Sequence, residues 1–215
     1  MQGGTHGTKK EPRSVHRENI VSAASALFME RGIAATSMDD IAKAAGYSKA
    51  TLYVYFENKE EIVGILVLNS MKKLDDYISS ALIQHEATKA RYNFICRGLV
   101  QYQEEFPFYF KMVLDKINID FESKNYLPEE KETYQIGEEI NEKIKDFLLS
   151  GMEKGDLRSD LEIMPAILNF WGRLSGIIHL AATKEEYIKK SMGLSKIEFL
   201  EYGFSLVYRS IAAKE

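Results

Sequence analysis

Between Ser37 and Phe56 the chain reads Ser-Met-Asp-Asp-Ile-Ala-Lys-Ala-Ala-Gly-Tyr-Ser-Lys-Ala-Thr-Leu-Tyr-Val-Tyr-Phe, an order that leaves few folding options. Ser37 with Asp40 three residues on is a capping box that opens a helix. Met38, Ile41, Ala42 and Ala45 form the inward face of that helix. Gly46, lacking a Cβ, supplies a turn with positive φ. Ser48 then caps a second short helix whose Leu52 and Phe56 point inward at i, i+4. Two short helices about a tight glycine turn form a helix-turn-helix, the unit that carries a helix N-terminus into a DNA major groove.

The flanking sequence builds on this unit. Ile20, Ala23, Ala24, Leu27 and Phe28 share one face of a helix expected over Val15 to Glu30, with Gly32 as its C-terminal cap. Asn58 with Glu61 caps a fourth helix reaching to about Ala81. Further helices are expected over Ala87 to Glu105, after the break at Pro107, and from Pro128 as a first helical residue. Ile136, Ile140, Ile144, Phe147 and Leu148 form a stripe on the last of these. Ser159 with Glu162, Thr183 with Glu186 and Ser195 with Glu198 read as capping boxes for helices near 160–182, 184–191 and 196–213. The segment Asn118 to Tyr126 reads as a loop. With four prolines and no sustained period-two alternation, the expected fold class is all-α. The expected organisation is a flexible arm over 1–12, a three-helix DNA-binding domain over 13–60, and a larger helical effector-binding and dimerisation domain over 61–215.

Charge permits nucleic acid without demanding it. The formal net charge is -4, yet residues 1–60 carry +1 and the remainder -5, and local charge at a contact surface outweighs the total. A single cysteine, Cys96, allows no intramolecular disulfide, which fits a reducing cytosol. It reads as a small buried hydrophobe. No apolar run approaches a membrane span of roughly 18 residues, and the Gly- and Thr-rich start does not read as a signal peptide. A cytoplasmic location is expected, with no membrane partner. The histidines His6, His16, His85 and His179 lack metal-ligand spacing, and no phosphate-cradling glycine motif or nucleophile elbow occurs. The chain is therefore not expected to be an enzyme or to hold a cofactor or metal.

The N-terminal 60 residues resemble the tetracycline-repressor (TetR) family of transcriptional regulators. The resemblance is carried by Ala24, Leu27, Phe28 and Gly32, by Thr36-Ser37-Met38 and Ile41-Ala42, and by Gly46-Tyr47-Ser48. Thr51-Leu52-Tyr53-Val54-Tyr55-Phe56 and Asn58-Lys59-Glu60 complete it. It covers about a quarter of the chain. It implies a homodimer that binds a near-palindromic operator and releases it when a small-molecule effector enters the C-terminal domain.

The residues themselves assign roles on the DNA-binding face. Lys49, opening the reading helix, can donate to guanine or to a phosphate, while Ala50 and Thr51 can pack a methyl against thymine. Tyr47, Tyr53 and Tyr55 carry phenols suited to phosphate oxygens, with a core wedge as the lesser alternative for Tyr53. Ser37 and Ser48 place hydroxyls at helix N-termini, where phosphate is favoured in addition to capping. Lys59 is expected to clamp the DNA backbone. Lys9, Lys10 and Arg13 read as a solvated tail, with a groove-reaching arm as the alternative.

In the C-terminal half, Phe94, Tyr102, Phe110, Tyr134 and Trp171 are expected to line an effector cavity, together with Phe106 and Met112. Asn169, Arg173 and His179 are its expected polar handles. The effector expected there is apolar or aromatic. The last two long helices are apolar on more than one face. Ile167, Leu174 and Ile178 on one, with Phe204, Val207 and Ile211 on the other, are expected to form a two-fold four-helix interface. A helical ligand-binding or scaffold protein that keeps the helix-turn-helix only as structure is the main rival reading, and an activator or a nucleoid-type binder is the second.

Overall fold

The computed structural model describes residues 12–83, 87–115 and 127–213. They form α1 (Arg13–Arg31), α2 (Met38–Ala44), α3 (Lys49–Tyr55), α4 (Lys59–Ile83), α5 (Thr88–Glu105), α6 (Pro107–Asp115), α7 (Pro128–Glu153), α8 (Ile163–Thr183), α9 (Glu185–Met192) and α10 (Lys196–Ile211). Among the described residues the extended pairing is an isolated antiparallel bridge between Leu157 and Ala212. The fold is all-α. The chain divides into two compact units, Met1–Leu66 and Val67–Glu215. The expected loop at 118–126 and the lysines of the arm lie outside the described residues.

The first unit is built on a small core. Ile20, Ala24, Phe28, Ile41, Leu52 and Phe56 are buried. Removing Leu52 from water is worth roughly 1.5–3 kcal/mol, a large share of what so small a unit can gather. Ser37 accepts from the Asp40 amide while the Asp40 carboxylate accepts from the Ser37 N–H, closing the capping box. α2 ends in a Schellman turn: the Tyr47 N–H donates to Ala42 O at 2.9 Å and the Gly46 N–H to Lys43 O at 3.2 Å. Gly46 holds φ +76° there, the left-handed region that side-chain-bearing residues avoid. Ser48 accepts from the Thr51 amide at 3.1 Å and starts α3.

In the second unit α5, α7, α8 and α10 surround the core. Tyr92, Ile95, Leu99, Tyr102, Ile144 and Leu174 are buried in it. The buried phenols are satisfied, as buried polar groups must be. Tyr92 Oη donates to Phe204 O at 2.7 Å, and Tyr102 Oη donates to Ser70 O at 3.0 Å. α10 approaches α8 closely at Gly203, where an added Cβ would lie 2.9 Å from Ile177 Cγ2. Cys96 is buried, and burial pushes its thiol up to about 12.

Two expected caps are corrected. α8 begins at Ile163 after an N-cap at Glu162 without a side-chain cap. Ser159 lies outside the helix, beside the Arg158–Asp160 ion pair. Thr183 stays within α8, its hydroxyl donating to His179 O at 2.8 Å. The Ser195–Glu198 box is present at the start of α10.

Candidate functional site

α3 offers two faces. Leu52 is buried, whereas Tyr53 and Val54 are 45% and 64% exposed. Ser37, Ser48, Lys49 and Ala50 are also exposed, and Thr51 is half-buried with its hydroxyl 2.8 Å from Ser48 Oγ. The exposed set puts one cation, one phenol, two hydroxyls and two apolar side chains on or beside a short helix whose axis is fixed by its buried face.

The far end of α3 is held by α1. Arg13 Nη2 donates to Val54 O at 3.0 Å, and Arg17 Nη1 donates to Tyr55 O. The Arg17 guanidinium also lies 4.2 Å from the centre of the Phe56 ring. Two guanidiniums on the last carbonyls of a seven-residue helix complement the negative end of its dipole. His16, between them in sequence, packs against Tyr47 and Tyr55, and its Nδ1 lies 2.7 Å from Tyr47 Oη. Tyr47 and Tyr55 are thus half-buried members of an aromatic cluster, with Tyr53 the outward phenol. Sequence reasoning missed Arg13, Arg17 and His16 as anchors of α3 and its flanking aromatic cluster. Their partners lie 31 to 41 positions away, beyond the reach of any local pattern.

Charges on this surface are partly matched. Lys49 Nζ lies 2.8 Å from Asp39 Oδ1 on α2, and this hydrogen-bonded pairing raises the Lys49 pKa above its ordinary value. Hydrogen bonds from Ser37, with Arg31 nearby, hold the Asp40 carboxyl below its ordinary value. Lys59 differs from the expectation of a DNA clamp. Its ammonium donates to Ile33 O at 2.7 Å and Thr36 O at 2.9 Å, tying the start of α4 to the α1–α2 turn. An ammonium has three donors, so at most one remains for a phosphate.

The second unit contains a cavity of about 420 Å³. Of the expected lining, Tyr102, Phe110, Tyr134 and Trp171 are there. Tyr102 presents only its ring, since its hydroxyl is bonded to Ser70. Phe94 and Phe106 pack against the core instead, and Met112 is buried without reaching the cavity. Asn169 is exposed and bonds back to Pro165 O, and Arg173 bonds to Ser210. His179 is exposed and also outside the lining. Besides the phenols and the indole, the polar side chains in the described wall are Thr133, Glu138, Asn141 and Ser175. A sequence signal did exist for three of the lining residues, since Tyr134, Glu138 and Asn141 repeat at i, i+4, i+7 on α7.

The expected dimer residues divide as well. Ile167, Leu174, Ile178 and Val207 are buried within the protomer, while Phe204 and Ile211 are half-buried. The first four are core, because a side chain already enclosed by its own chain has no surface left for a partner. The apolar surface of α8 and α10 is carried by other residues, Met164, Leu168 and Leu180 on one and Ile197, Tyr202 and Leu206 on the other. No helix among the described residues is long and apolar enough to cross a membrane, and none of their His, Cys, Asp and Glu groups could hold a metal ion.

Residues 20–64 match the family described as bacterial regulatory proteins, tetR family. Over 74 residues the chain is 38% identical to the HTH-type transcriptional regulator TtgR of Pseudomonas putida, covering 34% of each chain. Over 92 residues it is 34% identical to the biofilm operon icaADBC negative transcriptional regulator IcaR of Staphylococcus epidermidis, covering 43% of this chain and 45% of that one. The matches thus span under half the length of these curated relatives. The crystal structure of the TetR family transcriptional regulator PfmR from Thermus thermophilus is similar over 88% of this chain and 97% of its own, with a TM-score of 0.64 and 26% identity. The exposed reading helix, its Schellman turn and these likenesses agree: residues 20–64 form a DNA-binding unit of the kind found in the tetR family of bacterial regulatory proteins.

Proposed function

We propose that the protein is a transcriptional repressor that binds a near-palindromic operator as a homodimer and releases it when a small apolar or aromatic molecule occupies the cavity of the second unit. The observation that carries the DNA-binding part is the outward face of α3, where Lys49, Ala50, Tyr53 and Val54 are exposed while Leu52 anchors the helix. Lys49 and the Ser37 and Ser48 hydroxyls are suited to phosphates and base edges, and Ala50 and Thr51 to thymine methyls. Tyr53 is the phenol best exposed for the backbone, with Tyr47 and Tyr55 reaching it from the cluster beside His16. The name of IcaR as a negative regulator supports repression.

Dimerisation is supported by the apolar surface on α8 and α10, which a second copy would cover about a two-fold axis. Two reading helices would then meet successive major grooves about 34–36 Å apart. The cavity supports effector control because α4, which carries Lys59 in the first unit, also carries Met71 and Leu74 in the cavity wall. A ligand that displaces the wall acts on a helix continuous with the DNA-binding unit.

The test is the stoichiometry of the complex with DNA from upstream of the gene encoding the chain. Light scattering and titration should give two chains per palindromic site. A stable monomer binding one half-site would overturn the dimeric reading.

A further inference from the structure

Among the described residues the cavity wall has one charged side chain, and that charge is negative. Glu138 lies there exposed, and no Lys, Arg or His joins it among the described lining residues. Lys72 and Lys143, on the two helices that also contribute to the wall, are each paired with a carboxylate, Glu132 and Asp75. Glu138 itself forms no ion pair among the described residues. Its neighbour Asn141 is oriented for it. Trp171 Nε1 can only donate and does so to Asn141 Oδ1 at 3.2 Å, which turns the Asn141 amide N–H towards Glu138 Oε1 at 3.4 Å. Glu138 Oε2 has no hydrogen-bond partner among the described residues.

The same wall carries four aromatic rings, Tyr102, Phe110, Tyr134 and Trp171, among aliphatic side chains. The negative faces of aromatic rings attract cations, and more strongly where water is excluded. A second polar group marks the interior. Thr133 lines the cavity at 4% exposure, and its Oγ1 has no hydrogen-bond partner among the described residues. Buried polar atoms are rarely left so, and this one is available to a polar atom of a bound molecule.

We infer that the cavity takes a hydrophobic organic cation, its charge held by Glu138 and the aromatic rings and a hydrogen-bonding group received by Thr133. A carboxylate or phosphate ester of the same size would meet one negative charge and, among the described lining residues, no compensating cation. This rests on the cavity being the effector site proposed above, and it narrows that effector by charge.

Tetraphenylphosphonium and tetraphenylborate have nearly the same size and shape and opposite charge, so together they isolate the sign. Trp171 is the single tryptophan of the chain and stands in the cavity wall, so its fluorescence reports occupancy directly. Titrated against the full chain, tetraphenylphosphonium should quench Trp171 at a concentration at least about tenfold lower than tetraphenylborate. Glu138→Gln, at an exposed position and nearly isosteric, should shrink that preference to about threefold or less while leaving the helical circular dichroism unchanged. Equal or tighter binding of the borate overturns the inference, as does a preference that survives Glu138→Gln or the absence of quenching by either ion. The DNA-binding reading is judged separately, because operator binding by the unliganded protein needs no occupant in the cavity.

Discussion

Lys49 Nζ sits 2.8 Å from Asp39 Oδ1, so the cation expected to read DNA is held by the preceding helix before any DNA arrives. Both side chains are largely exposed, and exposed pairs exchange partners cheaply. On DNA, the lysine must give up Asp39 or share it, and the carboxylate stands near the phosphates as a repulsive charge. Asp39→Asn should therefore tighten binding to any duplex, by about two- to fivefold at moderate salt, without improving discrimination. Lys49→Ala should weaken it and lower the salt slope by about 1 if the contact is to phosphate. Anisotropy titrations at several salt concentrations separate the two.

The His16–Tyr47 contact predicts a second effect. Tyr47→Phe keeps the aromatic packing and removes one hydroxyl, so the unit should remain folded with a loss on the order of 1 kcal/mol. On the proposed role of Tyr47 as a phosphate-binding phenol, operator affinity should also fall several-fold. Thermal unfolding and operator titration of the same sample check both halves.

Lys59 is predicted to act on stability more than on DNA. Lys59→Met removes the ammonium from the Ile33 and Thr36 carbonyls, and should destabilise the chain by about 1–3 kcal/mol. The salt slope of operator binding should change by less than it does for Lys49→Ala. A larger change would return Lys59 to the phosphate-binding set.

Gly46→Ala should cost roughly 1–2 kcal/mol from backbone strain alone. The cause is the positive φ, since an added Cβ would meet nothing within 4 Å. Urea denaturation should show a lower midpoint with an unchanged slope.

Asp40 makes the capping box acid-sensitive. Its folded pKa is depressed by hydrogen bonds from Ser37, so the stability it adds is fully present above the ordinary carboxylate value of 3.8. That contribution is lost as pH falls through the lower, folded value. Asp40→Asn removes the titration, so acid unfolding of the variant should be less steep than that of the natural chain below pH 3.8.

What was legible in the sequence was local. Ser37 with Asp40, Gly46, Ser48 and Ser195 with Glu198 bond within a turn or two, and each forms the cap or turn that its spacing implies. Ser159 and Thr183 carried the same spacing and do not cap. A hydroxyl can serve its own helix, as Thr183 does on His179 O, or lie beyond the helix start. The cavity was legible only as composition. Aromatic residues on helical stripes are shared among core, cavity and surface, and the angle of each helix decides which. Hence Phe94 packs against the core while Tyr134 reaches the cavity, and Ile167 is core while Leu168, one position on, is surface. The hold of Arg13 and Arg17 on the end of α3 was invisible for the same reason, being a tertiary contact with no local signature.

The most direct measurement is binding of the purified chain to the duplex upstream of its own gene and to a scrambled duplex of equal length, across a salt series. The account predicts saturable binding to the first that is at least about a thousandfold tighter at physiological salt, and that Lys49→Ala weakens. Weak, equal binding to both duplexes, with Lys49→Ala indistinguishable from the natural chain, would contradict it.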